Sequence, residues 1–372
     1  MSVSFLYQMS VGDTLGCRAL EYMVTMLPHD LIRQEIVPLV ALDWLFVNRY
    51  WYNVSFPSLL HDNRVNPARD DNAAIRHAAK HGHEKVVALL LRDPRVDPTV
   101  HFNRPVEHAA RNGYDKIVAL LLADHRVDPS NAILHASNNG HDQIVVMLLA
   151  DARINPTMNN VGNPIRMASR NGHDRIVQLL LADGRFDPAE ERHGHSALRL
   201  AARKGHATMV TLLLTDPRVN PAAGNNDHHP IRDASRHGHE EVVNILLVDG
   251  RSDPTVNDNE PIRVAAERGH YEVVKRLLSD SRVNPATHND APIRMAASRG
   301  HYMVVKLLLS DPRVNPAVFA DKPIRMAAQR GHDNIVMLLL ADPRTHAGQP
   351  RDAVLSNLES LFHRAITRHV VT

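Results

Sequence analysis

Pro292-Ile293-Arg294-Met295-Ala296-Ala297-Ser298-Arg299-Gly300-His301 is written again 31 residues later as Pro323-Ile324-Arg325-Met326-Ala327-Ala328-Gln329-Arg330-Gly331-His332. A chain that repeats itself at a period of a few tens of residues builds a solenoid, because one unit cannot bury its own apolar face and must stack on the next. The glycine of this stretch recurs as Gly82, Gly113, Gly140, Gly172, Gly205, Gly238, Gly269, Gly300 and Gly331. The nine copies are spaced 27 to 33 residues apart, and only the third is short.

Each copy reads as helix, tight turn, helix. The first helix opens on proline at Pro105, Pro164, Pro230, Pro261, Pro292 and Pro323, where the fixed φ suits a first turn and the missing N–H is no loss. Small residues such as Ala265-Ala266 let a neighbouring helix approach, and the glycine ends the helix in the left-handed conformation. A second pattern follows, as in Val86-Val87-Ala88-Leu89-Leu90-Leu91 and Ile335-Val336-Met337-Leu338-Leu339-Leu340. It is dense enough in apolar residues to predict a helix covered on most sides.

These residues resemble the ankyrin repeat, a unit of about 33 residues with a Thr-Pro-Leu-His start, an Ala-Ala pair, a Gly-His turn and a Val-Val-x-Leu-Leu second helix. The resemblance covers residues 62–344. It implies an all-α ankyrin-repeat solenoid of stacked helix-turn-helix units with short hairpin fingers, working as a non-catalytic protein-protein interaction scaffold that holds a partner in its concave groove. Two departures stand out. The family's histidine, which ties neighbouring repeats together, is arginine at Arg76, Arg166, Arg199, Arg232, Arg263, Arg294 and Arg325, so the bonding between repeats must be rearranged, and arginine has the donors for it. The family's Gly-Ala-Asp turn becomes Asp-Pro-Arg-Val-Asp/Asn-Pro, as in residues 93–98, 216–221 and 311–316, a rigid turn that should end the second helix sharply.

Polar stretches such as Asn257-Asp258-Asn259 and His288-Asn289-Asp290 stand where the family projects its fingers. In the third copy this stretch shrinks to Ser130-Asn131-Ala132, which predicts a notch in the binding edge.

In the family, the two positions before the turn glycine face the groove. Here they carry Lys80, Arg111, Arg170, Arg203, Lys204, Arg236, Arg268, Arg299 and Arg330, against one acidic residue, Glu267. With layers about 10 Å apart, this is a basic rail. Arginine forks suit carboxylates or phosphates, so the rail would receive an acidic segment of a partner protein. Alternatively, the cations pair with finger aspartates of adjacent repeats in a solvated ladder of little net worth. The nine arginines of the Asp-Pro-Arg turns, from Arg95 to Arg344 beside aspartates such as Asp93 and Asp249, read as structural.

Composition narrows the function classes. A net charge of +2 over 372 residues gives no overall field toward nucleic acid or a membrane, so nucleic-acid binding would have to come from the rail alone. The single cysteine, Cys17, allows no intrachain disulfide and fits a reducing, cytoplasmic compartment. Neither a signal peptide nor a membrane span is visible, and a monomer is expected. Eight of the 25 histidines occupy one place in successive copies: His83, His141, His173, His206, His239, His270, His301 and His332. Spaced in that way they cannot share an ion, so no metal or other cofactor is expected. No phosphate loop, nucleophile elbow or His-Glu-x-x-His helix occurs, which argues against an enzyme.

The flanks do not repeat. Residues 1–61 hold both tryptophans, Trp44 and Trp51. From their own pattern they form a helical cap over the first repeat, as a solenoid end requires. They also resemble an F-box, which would dock a Skp-type adaptor of a cullin ubiquitin ligase through Leu27, Pro28, Leu31, Ile32, Ile36 and Trp51, although the stretch from Leu-Pro to the tryptophan is shorter than in that family. Residues 345–372 read as a C-terminal capping helix, with Val354, Leu355, Leu358, Leu361, Phe362 and Ile366 at helical spacing.

Overall fold

A computed structural model describes residues 66–154, 163–190, 196–222, 230–346 and 356. The expected N-terminal cap or F-box and the helix expected after residue 350 lie outside the described residues. The chain divides into two compact units, residues 1–164 and 165–372.

Among the described residues the first unit holds three helical pairs: α1 (Arg69–His81) with α2 (Glu84–Leu90), α3 (Val100–Asn112) with α4 (Asp115–Leu122), and α5 (Ala132–Asn139) with α6 (Asp142–Leu149). The second holds six. They are α7 (Pro164–Asn171) with α8 (Asp174–Asp183), α9 (Ala197–Lys204) with α10 (Ala207–Leu214), and α11 (Pro230–His237) with α12 (Glu240–Asp249). Then come α13 (Val256–Arg268) with α14 (Tyr271–Leu278), α15 (Thr287–Arg299) with α16 (Tyr302–Leu309), and α17 (Val318–Gln329) with α18 (Asp333–Ala341). Within each unit the odd-numbered first helices pack in one row, α1 on α3 on α5 and α9 on α11 on α13 on α15 on α17. The even-numbered second helices pack in another, with no strand among the described residues.

The packing explains the repeated letters. The alanine pairs of the first helices, such as Ala109-Ala110, Ala201-Ala202 and Ala296-Ala297, are fully buried where helix meets helix. Second helices bury residues at i, i+1 and i+4, as in Val86, Val87 and Leu90 or Ile335, Val336 and Leu339. They are not covered on most sides as the density of apolar letters suggests, because Val146, Val248, Met303 and Met337 point outward and are exposed. The valine of the Asp-Pro-Arg-Val turn is a buried plug at Val96, Val127, Val219, Val283 and Val314, a place taken by Ser252 in the sixth copy.

Where hairpin fingers were expected, five copies instead make a single left-handed turn: Asp70-Asp71-Asn72, His101-Phe102-Asn103, Asn257-Asp258-Asn259, His288-Asn289-Asp290 and Phe319-Ala320-Asp321, all with φ between 51° and 64°. Asn and Asp tolerate this region and Phe and Ala resist it, at about 1–2 kcal/mol per residue, so something must hold the turn. Part of the answer is the arginine of Pro-Ile-Arg. Arg294 donates from Nε to the Asn289 carbonyl and from Nη2 to that of His288, both at 2.8 Å, and Arg76 and Arg325 do the same in their own copies. The other part is the last residue of the turn, whose side-chain oxygen accepts the N–H of the next copy. Asn72 takes Asp97, Asn103 takes Asp128, Asn259 takes Asn284 and Asp290 takes Asn315, at 2.7–2.9 Å. The shortened third copy passes from its turn directly into α5 without a left-handed turn.

Candidate functional site

The ends of the first helices meet two structural demands before any partner is considered. Each helix stops at a glycine with φ between 74° and 84°, and at Gly82, Gly113, Gly172, Gly205, Gly238, Gly269 and Gly300 the turn lies under the ring at the start of the next copy's second helix, while a Cβ on Gly331 would meet nothing within 4 Å. A Cβ on Gly113 would stand 2.7 Å from His141 Cε1, and one on Gly238 would stand 2.7 Å from His270 Nδ1. Glycine is required here for both conformation and space.

The same histidine rings supply the bonds between repeats that the missing family histidine leaves open. Their Nε2–H donates to the carbonyl two residues before the preceding copy's glycine: His141 to Arg111, His206 to Arg170, His239 to Arg203, His270 to Arg236, His301 to Glu267 and His332 to Ser298, at 2.9–3.3 Å. Burial holds the His239 and His270 imidazoles below their ordinary pKa, against the opposing pull of the carbonyls. Sequence reasoning noticed the recurring Gly-His and missed this role. The recurrence was a sufficient signal for a structural bolt, but the acceptor lies 30 to 36 residues away.

The Asp-Pro-Arg turns form a second set of bolts. Asp93, Asp124 and their equivalents accept both the backbone N–H and the guanidinium of the arginine two residues on. The far arms then reach the preceding copy: Arg153 Nη1 donates to Val127 O at 2.9 Å and Nη2 to Leu122 O at 2.7 Å, and Arg344 makes the same contacts to Val314 O and Leu309 O. The arginine hydrogen bond carries Asp124 down to about 2 against the cost of burial.

A third group of charges is buried between first helices. Arg199 Nε meets Asp233 Oδ2 at 2.8 Å, with the two side chains 8% and 5% exposed. Arg232 Nε lies 2.7 Å from Glu260 Oε1, and Arg236 Nη2 lies 3.5 Å from the same oxygen. Burial works against the Glu260 charge, but hydrogen bonds from Asn257 and Arg232 and the nearby Arg236 hold its pKa low.

Against this background the nine cations of the expected rail separate. Lys80 and Arg111 belong to the first unit and the other seven to the second, where Arg203, Lys204, Arg236, Arg268, Arg299 and Arg330 lie along the packed row α9 to α17 and the Arg170 carbonyl at the end of α7 is held by His206 of the next copy. Arg236 is tied to Glu260, and Arg299 meets Glu267 Oε1 at 2.9 Å. Arg330 donates to Ser298 O, and Arg111 Nη2 sits 3.2 Å from the His135 ring, whose pKa falls to about 4 through burial and then through Arg111 and His108. Lys80, Arg170, Arg203, Lys204 and Arg268 are exposed and meet no carboxylate among the described residues. Pairing with neighbouring aspartates is therefore not what these side chains do among the described residues. All of them lie in a last helical turn, where the helix dipole favours a cation by about 0.3–1 kcal/mol. That accounts for their being tolerated and leaves their charge available.

Among the described residues no three His, Cys, Asp or Glu side chains gather as a metal site would need, and no helix is long and apolar enough to cross a membrane. A family model for ankyrin repeats (three copies) matches residues 106–191, 132–225, 167–258, 231–320 and 262–348. The chain belongs to the ankyrin repeat family, a class of protein-protein interaction scaffolds that are typically non-catalytic. No curated protein matches it significantly.

Proposed function

We propose that the first-helix face of the second unit receives an acidic segment of a partner protein. The observation that supports this reading is the contrast in pairing. Arg170, Arg203, Lys204 and Arg268 keep exposed charges that form no ion pair with a carboxylate among the described residues, in a unit whose turn arginines all have one. Exposed arginine forks aligned along one row bind carboxylates by charge-assisted hydrogen bonds, which are roughly twice as strong as neutral ones.

The test is binding of a fluorescent polyglutamate peptide to the full chain and to a variant carrying Arg203→Gln, Lys204→Gln and Arg268→Gln. The variant should bind at least about tenfold more weakly, while its unfolding free energy from urea titration falls by less than about 1 kcal/mol per site, the share of the helix dipole. Equal binding by both chains would remove the proposal.

A further inference from the structure

We infer that the segment selected by this face is an extended chain carrying an acidic side chain at every third residue. The inference rests on the reading that the face binds an acidic segment, and adds the spacing that segment must have.

The spacing follows from the scaffold. Successive first helices from α9 to α17 are in contact, and His206 ties the Arg170 carbonyl at the end of α7 to the copy of α9, so equivalent positions stand one helix packing distance apart, about 8–10 Å. The histidine bolts fasten that interval at the backbone: His206, His239 and His270 each grip the carbonyl of Arg170, Arg203 and Arg236 from the following copy. The cation-bearing residues are thus held in register from copy to copy, whatever their side chains do.

Three ligand geometries can be compared with this interval. A polyproline-type chain has three residues per turn and rises about 3.1 Å per residue, so side chains i, i+3 and i+6 line one side about 9.3 Å apart. A strand offers same-face side chains about 6.6 Å or about 13 Å apart, one too short and the other too long. An α-helix matches with one acid in seven, about 10.5 Å, but that row drifts about 20° per heptad and walks off a straight line of cations within a few layers. Only the three-residue period keeps both distance and direction.

The pairing pattern adds a second condition. From the Arg170 end, the first acid meets Arg170, the second Arg203 and Lys204, the third Arg236 and the fourth Arg268. Arg236 already shares its charge with Glu260 at 3.5 Å and is the least exposed of the set, so the third acid gains least.

The experiment uses the full chain and three fluorescent twelve-residue peptides of identical composition, four glutamates among serines and prolines. The glutamates are placed at every third position, at every second position, or in one block. At low salt the period-three peptide should bind about tenfold or more tightly than either isomer. Single Glu→Gln changes in it should reveal one tolerant position, and Arg236→Gln in the protein should alter its affinity less than about twofold while Arg268→Gln weakens it several-fold. Isomers that bind within about twofold of one another, or a tighter block or period-two peptide, would overturn the spacing and leave the acidic-segment reading standing. No binding by any peptide would remove both.

Discussion

Arg153 and Arg203 are chemically the same side chain placed at opposite ends of the helical pair. Arg153 follows a second helix and has its arms on Asp151, Asp124 O, Val127 O and Leu122 O. Arg203 ends a first helix, gives its backbone carbonyl to His239, and leaves its guanidinium in solvent. The difference is made by what stands two residues earlier. An aspartate at that position folds back on the turn and pre-orients the guanidinium against the preceding copy, whereas Ala201 in a helix offers only a small packed surface. Arginine content alone says nothing about binding in this protein, because many of the described arginines are engaged within the turns or between repeats.

The comparison can be broken most severely at the buried pair. Asp233→Ala removes the carboxylate from the Arg199 guanidinium, which is only 8% exposed. It should cost about 3 kcal/mol in urea unfolding. A loss below about 1 kcal/mol would show that the pair is solvated. Next in size is Arg153→Ala, which strips charged hydrogen bonds from three carbonyls of the preceding copy and should cost about 2 kcal/mol. Arg203→Ala, measured alongside, should cost less than about 1 kcal/mol. Equal losses at the two sites would erase the distinction between bolts and free cations.

The smallest effect is on pH. The turn aspartates have folded pKa values below their ordinary 3.8, with Asp124 at about 2. Their stabilisation is therefore complete above the ordinary value and is lost as pH falls through it toward 2. The half-buried histidines act earlier and with the same sign. His135 is held at about 4 against an ordinary 6.5, so the unfolded chain takes up protons first and stability declines as pH drops from 6.5 toward 4. Thermal melts across both windows should show two successive falls, and His135→Gln should flatten the upper one. A flat profile between pH 6.5 and 4 in the unmodified protein would contradict the burial of these rings.

Much of this architecture was legible in the letters. The glycine spacing located nine copies, the alanine pairs marked the close helix contacts, and Val-Val-x-x-Leu marked the buried stripe. The turn aspartates and arginines read correctly as structural, and the cations before each glycine were visible as a set. Three things were not. The left-handed turns were hidden because Phe319-Ala320 carries no local preference for positive φ; they persist because Arg325 collects their carbonyls. The histidine bolts were hidden because their acceptors belong to another copy. The division of the rail was hidden because Glu260 and Glu267 sit in the letter string like any other acid.

By itself, the amino-acid sequence determined that this protein is a stack of helical pairs and which residues stand at equivalent places in each pair, since periodicity and turn chemistry are local properties of the chain. The tertiary structure alone decided which of those equivalent charges are spent within the stack and which face solvent, because pairing depends on distances of a few ångströms between residues some thirty positions apart.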